Sequence, residues 1–303
     1  MNVKQFIKNT KILHIVFRGI KKSIMYCAQL IECMRFEIYL AIVKVKLMRE
    51  DSRFDKVAEL KDKYKGKRCF IICTGPSLTI SDLEMIKDEY SISMSSILNI
   101  LEKTNFRPSM YMIQDLTSFN IFKEKFDLIP NSQIFVGISN RSNMWGKGIK
   151  IKDVKEQNVG LFHLDTASII YQINYKVNNF RPRFSFNCRK KICDGATVTY
   201  SAIQMAVYMG FSEIFLLGAD CNYLGKSMHI DDYTDTLDIS ERQKIDATCR
   251  HEQAYRKAAD VLQKNKNCKI YNATRGGKLE VFERRTLEKI LKDGGKQNGR
   301  VSN

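Results

Sequence analysis

Proline is scarce and glycine modest, 4 and 16 in a chain of 303 residues, which excludes low-complexity linkers. The nine cysteines, at 27, 33, 69, 73, 188, 193, 221, 249 and 268, are odd in number and contain no CxxC pair. With no paired histidines beside them they signal neither a zinc site nor a disulfide framework, and a reducing cytoplasm suits them best. Long apolar runs are missing too. In residues 1–50 the longest charge-free stretch is 23–31, about half of the ~20 residues that a membrane-spanning helix needs. No small-residue cleavage site follows a clean apolar stretch after Lys4, Lys8 and Lys11, which argues against a secretory signal. The GxxxxGK[ST] phosphate loop is absent, and no repeat recurs at solenoid spacing.

What the chain does have is positive charge: 50 Lys and Arg against 33 Asp and Glu, with 44% hydrophobic residues. Such a chain folds, burying roughly 75% of its extended surface. A net charge of +17 sets up a field that attracts phosphates, nucleotides, nucleic acid or anionic lipid. Residues 1–50 hold ten Lys/Arg and three Glu with apolar residues at helical spacing, which predicts one or two basic amphipathic helices. Ile12, Ile15, Val16 and Ile20 are suited to an anionic membrane surface, although packing on the main domain or a second subunit explains them at least as well. Residues 51–66 read as a charged connector, 67–292 as the catalytic domain and 293–303, rich in Gly and Asn, as a frayed tail.

From Arg68 a short apolar run breaks at Gly75-Pro76 and gives way to a helix pattern near Ser81. Further strand-type runs lie at 91–94, 110–113, 133–138, 160–164, 213–217 and 269–271, with helical patterns at 197–209 and 251–264. This alternation predicts an α/β, Rossmann-like fold with a mainly parallel sheet and helices on both faces, whose ligands lie beyond the carboxyl ends of the strands.

Two loops stand at such ends. In Thr74-Gly75-Pro76-Ser77-Leu78, glycine permits close backbone approach and Ser77 offers a hydroxyl and an N–H to a phosphate or ribose. A plain strand-to-helix turn explains the same five residues. Asp194-Gly-Ala-Thr197-Val-Thr199 opens a helix, where hydroxyls and N–H groups make an anion site, or simply an N-cap. Asp220-Cys221-Asn222-Tyr223 puts polar groups at the end of the very apolar strand 213–217. Of the four histidines, His14 and His163 fall in structural runs. His229, in a polar loop, and His251, opening a helix, are candidate general bases.

Over residues 67–284 the chain resembles the 6-hydroxymethylpterin diphosphokinase (MptE-like) domain family, whose members occur in bacterial surface-polysaccharide clusters. The matching segments are Lys67-Arg-Cys-Phe-Ile-Ile-Cys-Thr-Gly-Pro-Ser-Leu78, Asn105-Phe-Arg-Pro with Ile113-Gln-Asp115, Thr197-Val-Thr-Tyr with Met209-Gly-Phe, Leu217-Gly-Ala-Asp220, and Tyr271-Asn-Ala-Thr-Arg-Gly-Gly-Lys-Leu-Glu-Val-Phe282. A more distant resemblance is to the bacterial lipooligosaccharide sialyltransferases, metal-independent inverting enzymes that use a CMP-activated sugar. That resemblance implies nucleotide contacts at Gly75 and Ser77, with Thr74 where those enzymes carry Asn and Ser95 near their second nucleotide-side Asn. It also implies a phosphate-stabilising tyrosine within a residue of Tyr223, and a catalytic histidine at or next to His251, ranked by register above His229.

The expected function is a glycosyltransferase of surface-polysaccharide or lipopolysaccharide assembly, cytoplasmic and peripheral to the inner membrane. Its donor is a nucleotide-activated sugar of the CMP kind or another, its acceptor a saccharide or a lipid-linked sugar. Catalytic roles fall to His251, His229 and Tyr223, and nucleotide binding to Thr74, Gly75, Ser77, Ser95, Asp115, Thr197, Thr199, Asp220 and Asn222. No cofactor is implied beyond the donor, and Asp115 and Asp220 leave a metal open. The alternatives are a magnesium-dependent diphosphokinase acting on a pterin-like alcohol, and a non-catalytic nucleic-acid-binding module, for which no recognition motif is present. Homo-oligomerisation stays open.

Overall fold

In a computed structural model of the protein, the described residues are 11–46, 51–139, 147–166, 182–223, 229–230, 240–265 and 267–294. Among the described residues nine strands form one parallel sheet: β1 Arg68–Ile72, β2 Ser91–Met94, β3 Met110–Ile113, β4 Gln133–Ile138, β5 Gly160–Asp165, β6 Ile192–Cys193, β7 Glu213–Leu217, β8 Lys269–Asn272 and β9 Glu283–Arg284. Their order is β6-β5-β4-β3-β2-β1-β7-β8-β9, and every pairing is parallel. The sheet is the α/β, Rossmann-like arrangement that the alternation predicted.

A parallel sheet buried on both faces needs strands that are apolar throughout, because alternate side chains go to opposite cores. In β1, Cys69 and Ile71 join one core while Phe70 and Ile72 join the other. The first core lies under helices Val198–Tyr208 and Glu241–Lys264, and the second under Ile80–Met85, Leu116–Phe122 and Leu287–Gly294. In chain order these are α5 and α6, then α3, α4 and α7; α1 is Lys11–Lys46 and α2 is Asp55–Ala58.

Residues 52–60, read above as part of a connector, make two helical turns that bury Phe54, Val57 and Leu60. Arg53 donates to the carbonyls of Val154 and Glu156, at 3.0 Å each, and Phe54 stacks on the buried His163. Helix α6 begins ten residues before His251, so this histidine sits in mid-helix rather than opening it. The added turns are mostly polar, and Ile245, Ala247 and Cys249 stand at a spacing of two, which gives no helical period to read. Most of the C-terminal tail, from residue 295, lies outside the described residues, as do Lys4 and Lys8. Among the described residues no helix is long and apolar enough to cross a membrane.

Candidate functional site

The chain runs outward from β1 to β6 on one side of the sheet, then returns through α5 to β7 on the other side of β1. This reversal leaves an uncovered crevice at the carboxyl ends of β1 and β7, where open α/β sheets hold their ligands. The two strand ends are in direct contact. Cys73 N–H donates to Leu217 O at 2.8 Å and Gly75 N–H to Gly218 O at 3.0 Å. A Cβ on Gly75 would stand 2.1 Å from Asp220 Oδ2 and 2.5 Å from Gly218 O, so no side chain fits there.

A single cleft at this point is lined by Thr74, Gly75, Ser95, Asp115, Thr197, Thr199, Asp220, Asn222, Tyr223, His229 and His251. Of the candidates named from the sequence, only Ser77 is not on its wall. Its hydroxyl donates to Asp220 Oδ2 at 2.7 Å and its N–H reaches the same oxygen at 3.2 Å, which ties the first loop to the end of β7. Thr197 and Asp115 cap α5 and α4, accepting from Thr199 N–H at 3.3 Å and Ser118 N–H at 2.8 Å. Burial pushes the Asp115 carboxyl above its ordinary range, against the pull of the Ser118 N–H.

Three of the cleft's corners use backbone that L-residues rarely adopt: Ser95 after β2, Ala196 after β6 and Cys221 after β7 have φ of 47°, 68° and 50°. The turn at Ala196 aims its carbonyl at His251, whose Nε2 lies 2.9 Å away, while Nδ1 lies 2.9 Å from Tyr223 Oη. A carbonyl can only accept, so Nε2 carries the proton and Nδ1 accepts from the tyrosine hydroxyl. His251 is 2% exposed, and burial lowers its pKa to about 4, so the neutral ring is the resting form. His229 is held differently: its Nδ1 lies 2.8 Å from Thr74 Oγ1, and the next residue, Ile230, donates its N–H to Thr74 O at 2.8 Å.

Several wall residues escaped sequence reasoning. Gln114 accepts from Ser201 Oγ at 2.6 Å and approaches the fully buried Asp194 Oδ1 at 3.4 Å. Burial, with the charges of Asp165 and Asp115, raises Asp194 to about 7, although the Ala196 N–H it accepts pulls the other way. Tyr255, one helical turn beyond His251, also faces the cleft, and its position four residues on was the available signal. Cys73 lines the wall as well, but burial pushes its thiol up to about 12, so it is no nucleophile. Among the described residues, no lysine or arginine lines the cleft and no group of three or more His, Cys, Asp or Glu is gathered for a metal ion.

A family model described as 6-hydroxymethylpterin diphosphokinase MptE-like matches residues 46–226, more than half of the chain. Among solved structures, the chain is similar to the MAf glycosyltransferase from Magnetospirillum magneticum AMB-1, at 16% identity and a TM-score of 0.45. That match covers 81% of this chain and 41% of the other, so the chain spans about two fifths of the glycosyltransferase's length. It is also similar to a short-chain dehydrogenase from Oenococcus oeni PSU-1, at 12% identity and a TM-score of 0.23, over 78% of this chain and 94% of that one. No curated protein matches the chain.

Proposed function

The chain belongs to the 6-hydroxymethylpterin diphosphokinase MptE-like family, and on that footing we propose that it is a transferase whose reaction takes place in the β1–β7 cleft. The group moved is a glycosyl unit, carried from a nucleotide-activated sugar to a saccharide hydroxyl in surface-polysaccharide assembly. The observation that carries this reading is the hydrogen bond between Tyr223, at the cleft wall, and a buried, neutral His251, beside the threonine and serine hydroxyls of the same wall.

A sugar hydroxyl attacks only as it loses its proton, and a nearby base lowers that barrier. Both nitrogens of His251 are engaged, so the base meets the cleft through Tyr223. As the acceptor oxygen bonds to the anomeric carbon, its proton passes to Tyr223 Oη while the tyrosine proton passes to His251 Nδ1. The bond from the anomeric carbon to the donor phosphate breaks, and the phosphate oxygen keeps the electron pair. The donor's negative charge, placed beside the buried ring, favours the imidazolium that burial otherwise opposes. Hydroxyls of Thr74 and Ser95 and the N-terminus of α5 are the groups available to the phosphate. With no cationic side chain on the described wall, this donor set favours a leaving group with one phosphate over one with two or three.

The family's name suggests diphosphate transfer, which magnesium assists. The carboxylates present do not fit that ion: Asp220 Oδ2 is taken by Ser77, Asp115 is engaged by the Ser118 N–H as the cap of α4, and no described cluster completes the donor set. The direct test is turnover and binding with CMP-, UDP- and GDP-sugars, beside ATP with a pterin alcohol and magnesium. Release of CMP that is lost in Tyr223→Phe supports the proposal. Magnesium-dependent turnover of ATP alone, or no binding of any nucleotide sugar, overturns it.

A further inference from the structure

Helix α1 carries an exposed apolar seam in strict alternation of three and four residues. Phe17, Ile24, Ile31 and Ile38 recur every seven residues, and between them stand Leu13, Ile20, Cys27, Met34 and Ala41. Written as heptads, the first set occupies a and the second d, sustained over four heptads. All nine are exposed, the large aliphatic and aromatic ones by 41 to 62%.

Near its C-terminal end the same helix already has a partner. Glu37 pairs with Lys191 and, at 2.9 Å, with Lys190, and the Lys191 ammonium sits 5.4 Å from the Phe36 ring centre. Lys191 also pairs, at 2.7 Å, with the fully buried Asp165 at the end of β5. Phe36, at f, lies opposite the a/d seam and Glu37, at g, on its flank, so the contact that fixes α1 to the domain leaves the seam itself exposed.

We propose that this seam is the interface of a parallel, two-stranded coiled coil between two copies of the chain. The inference is independent of the reaction in the cleft. An apolar stripe at 3.6-residue spacing suits any flat apolar surface, whereas an unbroken 3.5-residue repeat holds its line only against a second helix wound around the first. Isoleucine at three of the four a positions is the choice that favours two parallel strands. Nine seam side chains with Val16 and Leu30 at g offer on the order of 100 Å² each, so two helices bury about 2,000 Å², which is enough for a stable dimer.

The flanking charges select the direction. In a parallel pair each e residue faces the g residue five positions earlier on the partner. Lys21 then lies against Val16 and Arg35 against Leu30, where long basic stems cover apolar surface. In an antiparallel pair e faces e, which sets Lys21 against Arg35. Parallel pairing also brings both α/β domains to the same end of the coil.

Cys27, at a d position, is a built-in probe. In a parallel, in-register pair it meets its own copy at a Cα separation on the order of 6 Å, within disulfide reach. Brief diamide treatment of the full chain, the oxidant taking two electrons and two protons from the two thiols, should give a covalent dimer that Cys27→Ser abolishes. Sedimentation should give twice the 35.1 kDa chain mass. The double change Ile24→Glu with Ile31→Glu should give the single mass at an unchanged melting temperature of the α/β domain. A monomeric wild type overturns the proposal, as does a dimer indifferent to the double change. A dimer whose Cys27 does not cross-link overturns the parallel register. A monomer that co-sediments with vesicles rich in phosphatidylglycerol also overturns it, and assigns the face to lipid.

Discussion

At the scale of single residues, the proton on His251 Nε2 is committed to the Ala196 carbonyl, so the ring communicates with the cleft only through Tyr223. Removing the tyrosine hydroxyl should therefore cost as much as removing the imidazole. In the proposed reaction, Tyr223→Phe and His251→Gln should each lower kcat by about 10²- to 10⁴-fold, the range of general base catalysis, with donor Kd little changed. The double variant should be no worse than either single one, because both remove the same path; steady-state kinetics with isothermal titration of the donor checks both points. Gly75 makes a different demand. Its missing Cβ is the space that Asp220 occupies, so Gly75→Ala must push the first loop off the end of β7. The expected result is loss of donor binding together with a destabilisation of about 1–3 kcal/mol, the usual cost of overpacking, read from titration and urea unfolding.

Whole elements depend on a few such contacts. Asp165 ends β5 with no exposure and is held by Lys191 at 2.7 Å and Arg183 at 3.5 Å. Lys191→Met keeps the stem and removes the charge, leaving Asp165 with the longer, partly exposed Arg183 contact. Breaking a buried pair in this way costs about 3–5 kcal/mol, to be seen as a lower melting temperature, and it should also loosen α1 from the domain. Acid acts on the same joint. Burial alone would raise Glu37, but its hydrogen bonds to Lys191 and Lys190 bring it down to about 2. The stabilisation it gives is present above pH 4.5 and is lost as pH falls toward 2. This hierarchy explains what the sequence made legible. Strands β1, β3, β4 and β7 are apolar on both sides and were readable as runs, as were β2, β5 and β8 despite polar residues such as Ser91, Ser93 and His163, and the ends of β1 and β7 that meet at the cleft. The two-residue strands β6 and β9 are too short to leave a pattern. The first half of α6 is too polar to show a period, and Phe54, Val57 and Leu60 are hidden among charged residues. Contacts across the fold, such as Ser77 to Asp220 and His251 to Ala196, join residues 143 and 55 positions apart and follow only from topology.

Across the whole molecule, two buried groups in one neighbourhood make the folding energy depend on pH in opposite senses. His251 titrates at about 4 in the folded chain, below its unfolded value of 6.5. Between those limits the unfolded state binds the extra proton, so this group's share of stability is lost as pH falls through the window. Asp194 titrates at about 7 when folded, above its unfolded value of 3.8, so here the native state binds the extra proton and stability is lost as pH rises. Where the windows overlap, from pH 4 to 6.5, each contributes a slope of about 1.4 kcal/mol per pH unit and the two cancel. Relative to the wild type, His251→Gln should therefore lose stability as pH rises from 4.5 to 6.5, and Asp194→Asn should gain it. The double variant should run parallel to the wild type. Above pH 7 the buried Asp194 carboxylate is charged, and its Oδ2 has no hydrogen-bond partner among the described residues, so Asp194→Asn should be the more stable protein there. Urea midpoints at pH 4.5, 5.5, 6.5 and 8 measure all four curves, and single variants that both run parallel to the wild type would show that neither group is buried as described.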